Sequence, residues 1–504
     1  MRRARRTLAA LLVGLAIALP VLNPLTPGPS PNVFPLLVGG VGVAALLCVF
    51  EAQHARVVIL AWLAAAVVSS AIGLLQYFGL AEPLAPWASA AAPGEAYGNL
   101  RQRNQLATLT NMGLASLLWC LQHGWPGKEH KQWLRTLPFF AALAVLTIGN
   151  AATASRVGFV QLLVLVGLAA WWQVSAQRRM LALGVSAIPL YVIAAFALPW
   201  GLEQLHGIAR ENVFFRLGQA EGCSSRLVLW QNVLQLIAQA PWTGWGLGEL
   251  DYAHYANLYE GERFCDILDN AHNFPLHLAV ELGLPAALLA VTGIGWFVYR
   301  CAPWRAKDPL HQLAWTVLVL LGLHSMVEYP LWYAPFHMAA ALCVLFVVTD
   351  QGAKEAATRS DWTAGVHPGR IAGGLVLAAA MALAWDDYRR VSQAYLPYEE
   401  RDPGTRDAPA RASPSWSPFR SQELFAKVTT TSLTRANAQQ MALDAARLLH
   451  YSPEPRVIEI LIESLLLTGD ETAARWHMAR YRAAFPASYA AWIKARGAEA
   501  PSGN

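Results

Sequence analysis

Runs of about twenty apolar residues recur along this 504-residue chain, and no other feature so limits what it can fold into. A hydrocarbon layer of about 30 Å takes roughly twenty helical residues to cross, and within it a helix satisfies its own backbone polar groups. About eleven segments qualify, near residues 7–25, 34–50, 57–80, 104–121, 137–153, 157–175, 180–200, 274–298, 310–328, 332–349 and 370–385. With 55% hydrophobic and 14% charged residues, the chain has too little charge to clothe a water-soluble body of this size. The expectation is an all-α fold, a polytopic membrane helix bundle whose first partner is the lipid bilayer. Met1-Arg2-Arg3-Ala4-Arg5-Arg6 before an apolar run has the look of a signal peptide. No clear small-residue cleavage site follows, however, and Pro20, Pro24 and Pro27 read as the exit from a retained first span.

Charge sets the orientation. With the N-terminus inside, alternate loops collect Arg2, Arg3, Arg5, Arg6, Arg56, Lys128, Lys131, Arg135, Arg178, Arg179, Arg300, Arg305, Lys307, Lys354, Arg359 and Arg370, while the opposite short loops hold Arg101, Arg103 and Arg156. An odd number of spans then puts the C-terminus outside. The net charge of +5 is dispersed between apolar runs rather than gathered on one face, which argues against a nucleic-acid partner.

Residues 1–385 are thus expected to form the transmembrane bundle, with an external loop near 201–273, and residues 386–504 an external tail. The tail opens with a Pro-rich linker and turns helical around 434–449, 454–468 and 471–484, a pattern suggesting a small helical hairpin domain resembling a tetratricopeptide unit. Cys223 and Cys265 both fall in the external loop, which makes them a candidate disulfide in an oxidising compartment.

The outer face gathers the polar chemistry. Arg103 and Gln105, Arg156, Arg216, Arg226, and the stretch Asp269-Asn270-Ala271-His272-Asn273 all share one side. Arginine forks suit phosphate oxygens, so several of them suggest a diphosphate site, and a His at the membrane surface is a candidate general base. Each has a duller account: interfacial Arg snorkels to head groups, Arg226 can make a helix-surface ion pair, and His272 can be a satisfied interfacial side chain. The chain lacks CxxC, HExxH and GxxxxGK[ST] patterns, which argues against a zinc protease or a nucleotide-driven pump, and no metal or cofactor is called for.

Taken in order, Ser155-Arg156, Ser225-Arg226-Leu227-Val228-Leu229-Trp230, Pro241-Trp242-Thr243-Gly244-Trp245-Gly246-Leu247-Gly248 and Asn270-Ala271-His272-Asn273 resemble the core of the O-antigen ligase superfamily. Gly98-Asn99-Leu100-Arg101-Gln102-Arg103-Asn104-Gln105, His324-Ser325-Met326-Val327-Glu328-Tyr329-Pro330-Leu331-Trp332-Tyr333 and Trp385-Asp386-Asp387-Tyr388-Arg389-Arg390-Val391 look like its bacterial protein O-oligosaccharyltransferase branch, the PglL-type pilin-glycosylating enzymes. The resemblance implies a multi-pass enzyme of the bacterial inner membrane with its active site facing the periplasm. It implies transfer of a preassembled oligosaccharide from undecaprenyl diphosphate to a Ser or Thr hydroxyl of a periplasmic protein such as a pilin.

Carried onto this chain, it makes His272 the catalytic His and Arg156 and Arg226 the functional arginines. Arg216 and Arg103 are further candidates for the donor diphosphate, and Gln105, Asn273, Glu328 and Tyr333 for substrate or acceptor contacts. Metal-independent chemistry is expected, with His272 as base or as an orienting group, and arginines neutralising the leaving diphosphate. Alternatives within the superfamily are an O-antigen ligase acting on lipid A core and an O-antigen polymerase. A lipid or glycan transporter is the non-enzymatic alternative, although it is expected to keep charges at mid-membrane.

Overall fold

The computed structural model describes residues 2–122, 132–172, 178–217, 222–356, 367–404, 406 and 416–499. Among them every regular element is a helix. Four helical stretches are long and apolar enough to cross a membrane: Ala55–Tyr77, Gly184–His206, Leu284–Arg305 and Pro368–Tyr395. Shorter apolar helices cover Arg6–Leu22, Val33–Val49, Leu137–Ala152, Arg156–Trp172 and Ala334–Thr349.

The chain divides into two compact units. The first, residues 1–219 and 295–382, is the helix bundle. Its hub is the helix Arg103–Gln122, which packs against Ala55–Tyr77, Gln132–Ala152, Arg156–Trp172 and Pro309–Ser325. The sequence explains that position. Ala107, Thr108, Thr110, Asn111, Gly113, Ala115 and Ser116 are all buried and small or compact, and small side chains let helix backbones approach closely. Gly158 in the neighbouring helix sits so close that an added Cβ would come within 2.5 Å of the Ala107 Cβ and of Asn150 Oδ1. Helix starts follow ordinary capping rules: the Asp308 carboxylate accepts from the backbone N–H of Leu310 (2.9 Å) and His311 (3.1 Å), with Pro309 just inside.

The second unit joins residues 220–294 to residues 383–504. One apolar cluster unites Tyr255 of the loop with Val457, Ile458, Leu461, Ile462, Ala474 and Tyr481 of the tail. Within the tail, Pro455–Thr468 and Glu471–Ala484 form a helical hairpin turned by Gly469 at φ 84°, with Asp470 capping the second helix through Ala473 N (3.0 Å). Two tail helices, Arg420–Thr430 and Pro486–Glu499, were not anticipated from the sequence. Polar contacts reinforce the joint: Tyr255 Oη lies 2.9 Å from His477 Nδ1, the Arg480 guanidinium donates to Ala256 O (2.7 Å), and His450 meets Glu249 at 2.6 Å.

The apolar stretch 274–298 departs from expectation. It is broken into Phe274–Leu282, a nine-residue helix too short to span a bilayer, and Leu284–Cys301. Gly283 makes the break at φ 85°, and a Cβ there would lie 2.3 Å from Trp242 O. Leu284 N then donates to Pro241 O (2.8 Å), so tertiary docking overrides an unbroken hydrophobic pattern.

Candidate functional site

In the loop-and-tail unit, the helix Arg226–Gln239 begins at Ser225, whose side chain accepts from Val228 N (3.3 Å). Its inner face grips the segment leading to His272. Buried Asn232 donates to Glu262 O (2.9 Å) and accepts from Phe264 N (2.8 Å), while Trp230 Nε1 donates to Ala271 O (3.1 Å). Cys223 and Cys265 are joined by a disulfide, and the adjacent Ser224 Oγ donates to Asp266 Oδ2 (2.9 Å). The turn that opens the Arg226 helix is thereby stapled to the segment that delivers the histidine.

His272 itself adopts φ 48°, in the left-handed region that a residue with a Cβ enters at a cost of about 1–2 kcal/mol. Its backbone N–H is held by Asn270 Oδ1 (2.7 Å), and the following Asn273 caps the Phe274–Leu282 helix through Leu276 N (3.1 Å). Two anchors thus hold a backbone conformation that would otherwise relax. One turn on, His277 stands 3.6 Å from the Glu281 carboxylate, whose other oxygen accepts from Gly248 N (2.9 Å). Burial, with the neighbouring His272 adding to it, pushes the His277 imidazole down to about 4. His277 was missed from the sequence, although its spacing after His272 and before Glu281 was there to be read.

The Pro241–Gly248 segment is the reason the helix end stays in place. Trp245 N donates to Val280 O (2.8 Å) and Gly246 N to Glu281 O (2.9 Å). Gly244, at φ 67°, would place a Cβ 2.3 Å from the Glu281 backbone. Gly244 therefore serves close backbone contact.

In the bundle unit, Asn104 forms the centre of a second group. Ser155 Oγ donates to Asn104 Oδ1 (2.7 Å), and Asn104 Nδ2 and Gln102 Nε2 each donate to the Glu328 carboxylate at 3.3 Å. Ser155 Oγ also accepts from Gly158 N (3.0 Å), fixing the tight turn through Ala154 at φ 47° that introduces Arg156. Glu328 is buried although it carries a carboxylate, and Tyr333 stacks on Tyr329 with ring centroids 6.0 Å apart. Gln105 is fully buried behind this group. Arg101, by contrast, is spent on structure: its guanidinium reaches Pro24 O (2.5 Å), Thr26 and Ser89.

Arg103, Arg156 and Arg226 share one placement, each being the first residue of its helix: Arg103–Gln122, Arg156–Trp172 and Arg226–Gln239. A cation there opposes the helix dipole, and an anion at the same place satisfies both the side chain and the exposed N–H groups. Arg103 is exposed, and Arg156 and Arg226 are half-buried. Arg216 lies on the short helix Val213–Leu217, and its side chain lies outside the described residues. Arg103, Gln105, Arg156, Glu328 and Tyr333 thus belong to the bundle unit, and Cys223, Arg226, Cys265, His272 and Asn273 to the loop-and-tail unit.

Comparison with known proteins places three family models along the chain in order. A protein glycosylation ligase model matches residues 96–121, an O-antigen ligase model residues 141–291, and the C-terminal model of a virulence factor membrane-bound polymerase residues 312–498. Among curated proteins, a general O-oligosaccharyltransferase from Acinetobacter baylyi is 24% identical over 339 residues. That alignment covers 64% of this chain and 55% of the relative, so the chain spans about half the length of the curated protein it matches. The resemblance to PglL-type O-oligosaccharyltransferases of the O-antigen ligase superfamily is borne out.

Proposed function

We propose that this protein is an integral inner-membrane glycosyltransferase that takes a preassembled oligosaccharide from undecaprenyl diphosphate and passes it, on the periplasmic side, to a Ser or Thr hydroxyl of a protein such as a pilin. The observation that carries the proposal is His272, held at positive φ on a loop tied to the Arg226 helix through Trp230 and the Cys223–Cys265 disulfide. A histidine held at positive φ, on a loop anchored to a helix whose start favours anions, offers the two elements that the reaction needs.

In the proposed step the acceptor oxygen attacks the anomeric carbon, and the bond from that carbon to the phosphate oxygen breaks. The hydroxyl proton passes to His272, and the lipid diphosphate leaves with the bonding electrons. Imidazole is the side chain whose ordinary titration range suits proton acceptance near neutral pH. Arg226 is assigned to bind the diphosphate and neutralise the charge that grows on it, and Arg156, Arg216 and Arg103 of the bundle unit are candidates for the same role. Attack opposite the leaving group predicts inversion at the anomeric carbon. Gln105, Asn273, Glu328 and Tyr333 are assigned to sugar or acceptor contacts, and Glu328, already held by Gln102 and Asn104, is a ready acceptor for a substrate hydroxyl.

The O-antigen ligase and polymerase descriptions of two matching families favour a second reading, in which the acceptor is lipid A core or the growing glycan. Reconstitution with purified lipid-linked oligosaccharide, offered a pilin, a lipid A core acceptor or a second glycan chain, separates them. The proposal expects a mass increase on the pilin; glycan appearing on lipid A core alone overturns the protein-acceptor reading.

A further inference from the structure

Inside the bundle unit a relay of hydrogen bonds fixes the proton of a histidine that the proposed chemistry does not use. Gln161 Nε2 donates to Leu320 O (2.7 Å), which leaves Gln161 Oε1 as an acceptor. Thr108 Oγ1 spends its one proton on that oxygen (3.1 Å), so its 2.9 Å contact with His324 Nδ1 requires the ring to donate. A second ring proton would put a charge into the bundle interior, where the loss of hydration outweighs the pull of the Glu328 carboxylate, so the ring is neutral and Nε2 presents a bare lone pair. His324 is fully buried and its Nε2 has no hydrogen-bond partner.

Gln105 has the same predicament. Three residues before Thr108, it lies on the same helical face, it is fully buried, and neither end of its carboxamide is paired. Buried polar groups are almost always satisfied, and the helices carrying these two orphans pack together at the Thr108–His324 contact, so the pair asks for a common partner. His324 sits about one helical turn inward of Glu328, whose N–H donates to His324 O (2.9 Å), and Gln105 directly follows Asn104 in its helix.

We propose that His324 Nε2 and the Gln105 carboxamide form a buried subsite for one neutral hydroxyl group. The lone pair of Nε2 accepts the O–H proton, and the Gln105 amide donates to the same oxygen or accepts from a neighbouring one. An anion is disfavoured by the lone pair and by the apolar Phe336 ring, whose centroid stands 6.4 Å from that of His324. The hydroxyl comes from a sugar residue of the donor, which rests on the proposed function, or from water.

The test uses full-length protein in nanodiscs, with His324→Asn, His324→Gln and Gln105→Leu variants read by donor affinity, transfer kinetics and thermal unfolding. Asn keeps the donor to Thr108 and leaves Nε2 unreplaced; Gln places an amide where Nε2 stood. If a sugar hydroxyl binds, His324→Asn and Gln105→Leu weaken affinity for lipid-linked oligosaccharide by about tenfold or more, the loss of one hydrogen bond, with the melting temperature unchanged or raised. His324→Gln then retains affinity. If water binds, the same two variants lower the melting temperature and leave donor affinity alone.

Two results overturn the proposal. One is affinity, turnover and melting temperature all at wild-type values in His324→Asn and Gln105→Leu. The other is rescue by Asn with loss in Gln, which makes the ring a scaffold for Thr108. A wild-type protein that transfers glycan to no acceptor sinks the proposed function instead, while donor binding and melting temperature still read the subsite.

Discussion

Replacing Cys223 and Cys265 together by Ser separates the stability of the loop from its chemistry. The crosslink spans a sequence separation of 42, for which the chain-entropy relation gives about 4 kcal/mol at 25 °C. In a unit of this size that corresponds to a fall in melting temperature of roughly 8–16 °C. The local geometry loses less, because Ser224 still donates to Asp266 (2.9 Å), Trp230 to Ala271 O (3.1 Å), and Asn232 still bridges Glu262 and Phe264. Transfer at 20 °C is therefore expected to fall by less than about tenfold, the value of one lost contact at the site. Scanning fluorimetry of wild type with and without reductant, beside the double variant, gives the comparison. Reductant is expected to bring wild type down to the variant's melting temperature and to leave the variant unmoved. Equal melting temperatures for oxidised wild type and variant refute the reasoning, as does mass spectrometry finding both thiols free.

Asn232→Ala strands Phe264 N and Glu262 O in a buried setting and is expected to cost about 2–4 kcal/mol, read as a lower melting temperature. Trp230→Phe removes the hydrogen bond to Ala271 O while keeping most of the apolar contact, so it is expected to cost about 0.5–1.5 kcal/mol and to slow transfer without weakening donor binding. Burial, aided by Glu249 and Asp269, pushes the Asp251 carboxyl from its ordinary 3.8 up to about 7, so its favourable contribution is complete below about pH 4 and is lost as pH rises through 7. Burial beside Arg480 pushes His477 from 6.5 down to about 4, so its contribution is complete above pH 6.5 and is lost as pH falls toward 4. Between about pH 4 and 6.5 these two slopes oppose and largely cancel, so the melting temperature of the loop-and-tail unit is expected to stay near level there and to fall as pH rises from 6.5 through 7. Asp251→Asn is expected to remove the alkaline decline, and an alkaline limb that survives the substitution counts against this assignment.

The helices were legible because an apolar run of membrane length has one soluble answer in lipid, and Ala55–Tyr77 and Arg103–Gln122 lie close to where the pattern puts them. The break at Gly283 was not legible, since it depends on the Trp242 carbonyl arriving from forty residues away. Motif order led to His272, Arg226 and Arg156, but the bond from Trp230 to Ala271 O that fixes the histidine loop carries no periodicity. The same holds for Asn104, Ser155 and Glu328, which meet from three separate parts of the chain. His324 stood in plain view inside a recognised stretch; only the proton count through Gln161 and Thr108 singles it out.

The central claim is that His272 takes a proton from an attacking hydroxyl while arginines hold the donor diphosphate. Its most direct test is the single-turnover rate of His272→Gln in proteoliposomes loaded with lipid-linked oligosaccharide and a pilin acceptor, with donor affinity measured on the same samples. A rate lowered by about 10²–10⁴-fold with donor affinity kept is the predicted result. A rate close to wild type contradicts the base role.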